Sequence, residues 1–373
     1  MSVNNWTTCK ISDICSSVSD TYKRTDEYVV LVNTSDVLEG KILNHIPTEN
    51  KNLKGQFKKT FRKNDILYSE IRPANKRFAF VDIENTDNYI ASTKLMVLRC
   101  DETKVLPKFL FSLLKSSYII NELQLLAETR SGTFPQITFS GELGPMEISL
   151  PDFETQHKIV SILDSLEGKI QINNEINSNL EHQAQAIFNK MFPDITIGDS
   201  CVGDMITPQR GKGLLSKDAV AGNVPVVAGG LEPATYHNTA NTIAPVLTIS
   251  ASGANAGFVN LWHIPVWSSD SSYIDSSMTP HVYFWYTLLK KRQKEIFDAQ
   301  TGSAQPHIYP QNIANLPLGS IKAEDIAQFN DIVTPMFQKI GENKIENTKL
   351  SATRDILLPK LMSGEIDLSN IDI

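Results

Sequence analysis

The chain repeats itself. Sliding the sequence by 170 residues brings Lys169 onto Lys339, Ile170 onto Ile340, Asn173 onto Asn343, Asn177 onto Asn347, Leu180 onto Leu350 and Lys190 onto Lys360, without a gap. Upstream, Phe109-Leu110-Phe111-Ser112-Leu113-Leu114-Lys115 parallels Phe284-Trp285-Tyr286-Thr287-Leu288-Leu289-Lys290, and RSGTFPQI (130–137) parallels TGSAQPHI (301–308). The offsets there are 175 and 171, so short insertions separate the matched segments. A duplication constrains architecture more firmly than local propensity, because two copies of one pattern must close two similar cores. A length of 373 residues agrees, since a single core rarely grows past about 250–300 residues.

Each copy reads as a mixed α/β globular unit, then a helix, a Ser/Gly/Pro loop and a much longer helix. The expected class is therefore α+β, with globular units at 1–152 and 196–321 and long helices in 153–195 and 322–373. Apolar, β-rich runs at 28–32, 65–68, 78–81 and 95–98, and again at 224–227, 246–249 and 258–262, are separated by Asn, Asp, Gly and Pro clusters, the pattern of short strands. In the first long helix a 3-4 spacing runs through Leu163, Leu166, Ile170, Asn173, Asn177, Leu180, Ala184, Ile187 and Met191. The second repeats it with Val333, Met336, Ile340, Asn343, Asn347, Leu350, Arg354, Leu357 and Leu361. Two matched seams predict one intramolecular coiled coil. Buried Asn173, Asn177, Asn343 and Asn347 would set its register at some cost in stability. Antiparallel pairing would relate the copies by a pseudo-twofold axis. A helix over 155–192 would make a rod of roughly 57 Å, against about 34 Å for one turn of a DNA duplex.

Charge enters as an objection to nucleic acid: the net value is −7. Its distribution weakens that objection. Residues 1–150 hold 19 basic and 18 acidic side chains and 197–321 hold 7 and 8, while 151–196 (3 and 7) and 322–373 (6 and 9) carry the excess acid. The globular units are near neutral, so a basic face on each is compatible with composition. Cys9, Cys15, Cys100 and Cys201 are scattered, with no CxxC pair, which predicts reduced thiols and neither a disulfide framework nor a structural metal. No signal peptide or membrane-length apolar run is read, so the expected compartment is the cytoplasm, without membrane contact.

Three stretches, LPDFETQHKIVSILDSLEGKI (150–170), NLEHQAQAIFNKMF (179–192) and ENTKLSATRDILLPKLMSGEI (346–366), resemble the conserved helical regions of type I restriction-modification specificity subunits. RDILLPKLMSGEI is the most diagnostic, and TGSAQPHI looks like the loop that ends that family's recognition domains. The resemblance implies two target recognition domains reading a bipartite site in double-stranded DNA. It further implies that the helices position two adenine methyltransferase subunits and, in the full complex, restriction and motor subunits. S-adenosylmethionine, ATP and Mg would then belong to those partners, and no cofactor to this chain.

Candidate DNA contacts follow from residue chemistry. Lys51, Lys54, Lys58, Lys59, Arg62 and Lys63 are interleaved with Phe57 and Phe61, and Arg72, Lys76 and Arg77 lie in IRPANKR, a turn after a strand. Arg holds guanine through two hydrogen bonds and Lys neutralises phosphate; the plain alternative is a solvated loop. In the second copy the matching segment is ISASGANAGF, where Ala254-Asn255 echoes Ala74-Asn75 and Ser250, Ser252 and Asn255 are the polar groups. Positive charge there is limited to Arg210, Lys212, Lys217 and the 290–294 run, with the Arg210 loop ranked first. Arg130 and Gln136, with Gln305 and His307 in the second copy, are contacts or parts of a structural corner.

Other chemistries find little support. Pro151-Asp152 with Glu167-x-Lys169 fits the spacing of a metal-dependent nuclease, but Glu167 and Lys169 fall about 200° apart around a helix. No Walker A loop, GxSxG elbow, HExxH or [DN]PP[YF] string occurs. The expected function is non-catalytic DNA recognition. A coiled-coil adaptor with protein-binding domains is the alternative from another class.

Overall fold

The computed structural model describes residues 6–51, 53, 55–302 and 305–369; Lys54, Ser303 and Ala304 of the segments above lie outside them. Six helices matter here: α1 (Pro107–Leu114), α2 (Ser117–Arg130), α3 (Phe153–Met191), α4 (Val282–Lys291), α5 (Gln293–Asp298) and α6 (Ala323–Met362). The chain divides into two compact units, Met1–Lys169 with Lys349–Ile373, and Ile170–Thr348. The division cuts both long helices, so each serves both units.

The first unit holds two four-stranded sheets. One orders Cys15–Val18, Leu95–Cys100, Ile66–Ser69 and Phe78–Phe80, all antiparallel. The other orders Pro47–Glu49, Tyr28–Val32, Tyr89–Ser92 and Phe57–Lys59, with a parallel pair in the middle. The second unit repeats the first sheet as Gln209–Arg210, Ser271–Asp275, Val246–Ser250 and Val259–Trp262. Its other sheet has three strands, Thr235–His237, Val224–Val227 and Trp267–Ser268, again with a parallel pair. All seven segments read as strands from the sequence are strands.

The matched apolar helices supply the cores. In α1, Phe109 to Leu114 are all buried, and in α4 Val282 to Leu289. Around α1 pack Ile66, Met96 and Leu98 from the first sheet, Ile159 and Leu163 from α3, and Leu358, Leu361 and Met362 from α6. Around α4 pack Leu247, Val259 and Ile274, then Ala184 and Phe188 from α3 with Phe192 just after it, and Phe329, Val333, Phe337 and Ile340 from α6. Each core is thus sealed by the start of the long helix that follows its sheets and the end of the other long helix.

Within the second unit the two helices pair antiparallel. Asn343 Nδ2 donates to Asn177 Oδ1 at 2.8 Å, and Asn173 Nδ2 donates to Asn347 Oδ1 at 2.9 Å and to Glu346 Oε2 at 2.8 Å. Asn347 in turn donates to Asn174 Oδ1 at 2.9 Å. As the number rises on one strand of this ladder it falls on the other. The first unit shows the same sense, with Lys158 Nζ on the Leu368 carbonyl at 3.2 Å and Arg354 4.0 Å from Glu167. The heptad spacing holds through the Asn ladder and lapses at the helix ends. There Ala184, Phe188 and Phe192 are the buried residues, while Ile187 and Met191 only flank them. A helix against one partner keeps a 3.5-residue stripe, whereas one also packed on a globular core follows its own 3.6-residue period.

Two local features explain residues that the sequence pattern leaves unassigned. Gln156, fully buried, accepts from the Leu106 N–H at 2.8 Å and donates to the Pro151 carbonyl at 2.9 Å, fastening the start of α3 beneath α1. Gly341 in α6 lies against the His263 ring, and a β-carbon there would fall 2.7 Å from His263 Cγ. Burial, aided by Lys344, lowers the His263 pKa to about 4.

Candidate nucleic-acid interface

In the first unit the strand Ile66–Ser69 ends in a tight turn, residues 70–77, that returns as Phe78–Phe80. Its frame is built from backbone. Ser69 N–H donates to the Arg77 carbonyl at 2.9 Å, Asn75 N–H to Arg72 at 2.8 Å and Glu70 N–H to Lys94 at 3.0 Å. The RSGTFPQI loop is clamped on from the side, by Arg72 N–H to the Pro135 carbonyl at 3.1 Å and Ile137 N–H to Glu70 at 2.8 Å.

The second unit builds the same frame from different residues. Ser250 N–H donates to the Phe258 carbonyl at 3.0 Å, Ala256 to Gly253 at 3.0 Å and Ala251 to Asp270 at 3.1 Å; Gly253 donates to Pro306 at 3.0 Å and Ile308 to Ala251 at 2.9 Å. Bridges between Ile71 and Gln136, and between Ser252 and His307, occupy matching places. These five pairs of bonds fix the correspondence: Glu70 with Ala251, Ile71 with Ser252, Arg72 with Gly253, Lys76 with Gly257, Lys94 with Asp270 and Gln136 with His307. This corrects one detail of the sequence reading. Asn255 stands opposite Ala74, not Asn75, because the turn carries an offset of 181 rather than 180.

Side chains of the first turn divide by what they touch. Arg72 is exposed and bonded to no described side chain, on backbone with φ 45° and ψ 77°. Lys76, at φ 52°, reaches Glu39 at 3.1 Å. Arg77 is spent on the fold: Nη1 donates to the Ser35 carbonyl at 3.0 Å. Lys94, which the sequence reading missed, bridges Glu70 at 3.3 Å and Gln136 Oε1 at 3.2 Å. It stands just before the buried strand Leu95–Cys100, so only pairing with Asp270 in the repeat could have marked it. Lys59 turns inward to the Leu95 carbonyl at 2.8 Å, and burial lowers its pKa. Lys58 and Arg62 are exposed, Lys63 pairs with Glu84, and Lys51 with Glu49 at 3.3 Å. Arg130 holds Glu142 at 3.2 Å; with Ser131, Phe134, Gln136 and Thr138 it lines a surface hollow of about 290 Å³.

At the second turn, Arg210 Nη2 lies 2.5 Å from Asp270 Oδ1, and the Ser252 hydroxyl donates to Asp270 Oδ2. Arg210 and Asp270 are 43% and 38% exposed; a pair so open to water contributes only about 0.2–1 kcal/mol to stability. Lys212, Lys217 and Gln305 are exposed, Asn255 is half-buried, and the His307 ring stacks on Tyr309 with centroids 6.0 Å apart. The 290–294 run serves the fold. Lys290 sits over the Phe258 ring, Arg292 is buried on Glu295 and the Pro317 carbonyl, and Lys294 pairs with Asp298.

The nuclease set does not converge. Asp152 caps α3 by accepting from the Thr155 N–H at 2.8 Å, which holds its carboxyl below the usual range. Glu167 lies fifteen residues further along the same helix, roughly 22 Å away, and is engaged by Lys115 and by Arg354 at 4.0 Å. Among the described residues no group of three His, Cys, Asp or Glu side chains is placed to hold a metal, and no helix is long and apolar enough to cross a membrane.

Comparison with known proteins gives likenesses in sequence and in fold. Residues 4–182 match the family model of the type I restriction modification DNA specificity domain. The chain is similar to the type I restriction enzyme HindI specificity subunit of Haemophilus influenzae, 38% identical over 247 residues, or 64% of this chain and 53% of that one. It therefore spans about half the length of that relative. Similarity to the MjaIX specificity subunit of Methanocaldococcus jannaschii is 24% over 308 residues, 72% of this chain and 71% of that one. In fold it is like the crystal structure of the type I restriction-modification system S subunit from M. genitalium, with a TM-score of 0.55 at 18% identity, covering 97% of each chain.

Proposed function

From the match of residues 4–182 to the type I restriction modification DNA specificity domain and the likeness to the HindI specificity subunit, we propose that the chain is a type I specificity subunit that reads a bipartite site in double-stranded DNA, one half with each globular unit, and performs no catalysis itself. The observation that carries this reading is the duplicated turn. One backbone frame, closed by the same five hydrogen bonds, is presented twice with different side chains on it. Two readers of different sequences require different polar groups on a common frame, and that is what the two turns carry. Residues 1–152 and 196–321 are the target recognition domains in this reading. The helices of 153–195 and 322–373 position two methyltransferase subunits and, where present, the restriction and motor subunits, on DNA in the cytoplasm. S-adenosylmethionine, ATP and Mg belong to those partners.

Arg72, Lys76, Lys58, Arg62 and Lys94 are the cations of the first reader. Arg130 and Gln136 border them. The second reader uses Arg210, Lys212, Ser252, Asn255, Gln305 and His307. The test is sequencing of N6-methyladenine in host DNA with the gene intact and deleted. Loss of methylation at one asymmetric, interrupted motif is the expected result; unchanged methylation, with the partner methyltransferase expressed, would refute the reading.

A further inference from the structure

The corresponding turns differ in a specific way. At the place where the first unit has Lys94 the second has Asp270, and where the first has Glu70 the second has Ala251. Each nevertheless assembles a cation and a carboxylate beside the turn, Lys94 with Glu70 in one and Arg210 with Asp270 in the other, from positions that do not match. A pair that merely braced a duplicated fold would be inherited in place. Here the location is kept and the polarity is rearranged. Arg210, Asp270 and Lys94 are open enough to meet a ligand, with Glu70 half-buried behind Lys94.

We propose that Asp270 is the positioning residue of the second reader. It holds Arg210 as a guanine ligand, while Lys94 with Arg72 supplies the donors of the first reader. The chemistry is specific. Guanine offers O6 and N7 side by side in the major groove, and a guanidinium meets both when its plane is fixed. Asp270 engages Nη2 of Arg210, and the Ser252 hydroxyl fixes the carboxylate from its other oxygen. That arrangement removes rotamer freedom from Arg210 before DNA arrives and leaves its remaining N–H groups for the base. In the first reader Lys94 is held between Glu70 and Gln136, and the Gln136 loop is clamped to Arg72 through Pro135. Unlike the planar fork of Arg210, a Lys there offers a compact charge that donates to base acceptors such as guanine O6 and N7.

This inference rests on the DNA-reading function, and its test separates the two. The chain is expressed with its methyltransferase partner in a host lacking N6-methyladenine, as wild type, Asp270→Asn, Arg210→Lys and Lys94→Met, and the methylated motif is read by sequencing. Asp270→Asn and Arg210→Lys should each relax discrimination at one guanine position in one half of the motif, on the order of tenfold to a hundredfold, leaving the other half as in wild type. Lys94→Met should relax the opposite half. Thermal midpoints of the purified complexes should stay within about 2 °C of wild type, because exposed pairs add little to stability. An intact motif in Asp270→Asn and Arg210→Lys overturns the inference and leaves the function standing. Equal loss of both halves with a lowered midpoint assigns a structural role and also overturns it. Absence of any interrupted motif in the wild-type complex refutes the function and the inference together.

Discussion

Arg72 holds a left-handed backbone conformation, φ 45°, at the place where the second unit uses Gly253 at φ 81°, with open space around its α-carbon. For a residue with a β-carbon that conformation costs about 1–2 kcal/mol. Hydrogen bonds to the Pro135 carbonyl and from the Asn75 N–H hold the backbone there, and the exposed side chain meets no described side chain, as the proposed contact with DNA requires. Arg72→Gly should leave thermal stability unchanged or raise it by about 0.5 kcal/mol, since relief of strain is partly offset by the freer unfolded chain. The same change should weaken binding of the DNA motif in a filter or anisotropy titration at moderate salt. A stability loss above about 1 kcal/mol with undiminished binding would contradict this account. The turn also shows where single-sequence reading stops. Arg72 stood out by charge and setting, but its strain, and the opposition of Lys94 to Asp270, exist only once five backbone hydrogen bonds align segments offset by 171, 176 and 181 residues.

Among elements, the long helices were the most legible. Matched heptads with Asn at two equivalent sites predicted a pair with a polar register, and all four Asn residues bond across it. The ends were misjudged, at Ile187 and Met191, because what they pack on is a sheet-and-helix core invisible in the seam itself. Glycine sharpens the contrast between the two helices. A β-carbon on Gly168 in α3 would meet nothing within 4 Å, whereas one on Gly341 in α6 would meet the His263 ring. Gly168→Ala should stabilise by about 1 kcal/mol through helix propensity. Gly341→Ala should destabilise despite the same gain, because Cβ and Cγ of His263 are close to its backbone and cannot swing away. Thermal unfolding of the two variants checks the opposite signs.

At the scale of the molecule, neither half of the sequence contains a whole core. The first unit borrows Leu358, Leu361 and Met362 from α6, and the 170-residue repeat places Phe188, Met191 and Phe192 at the corresponding points at the end of α3 and just beyond it. A fragment of residues 1–195 therefore lacks part of its own seal but carries the equivalent of the missing piece. It should dissolve as a dimer in which each copy seals the other, as measured by sedimentation equilibrium; a monomer as stable as the full chain would show that the borrowed residues are dispensable. The turns lead in another direction. Their frame is drawn entirely in main-chain hydrogen bonds, so it does not register which side chains stand on it. If the turns read DNA as proposed, point substitution at places such as 94 and 270 would change one letter of the word that is read and leave the scaffold presenting it untouched.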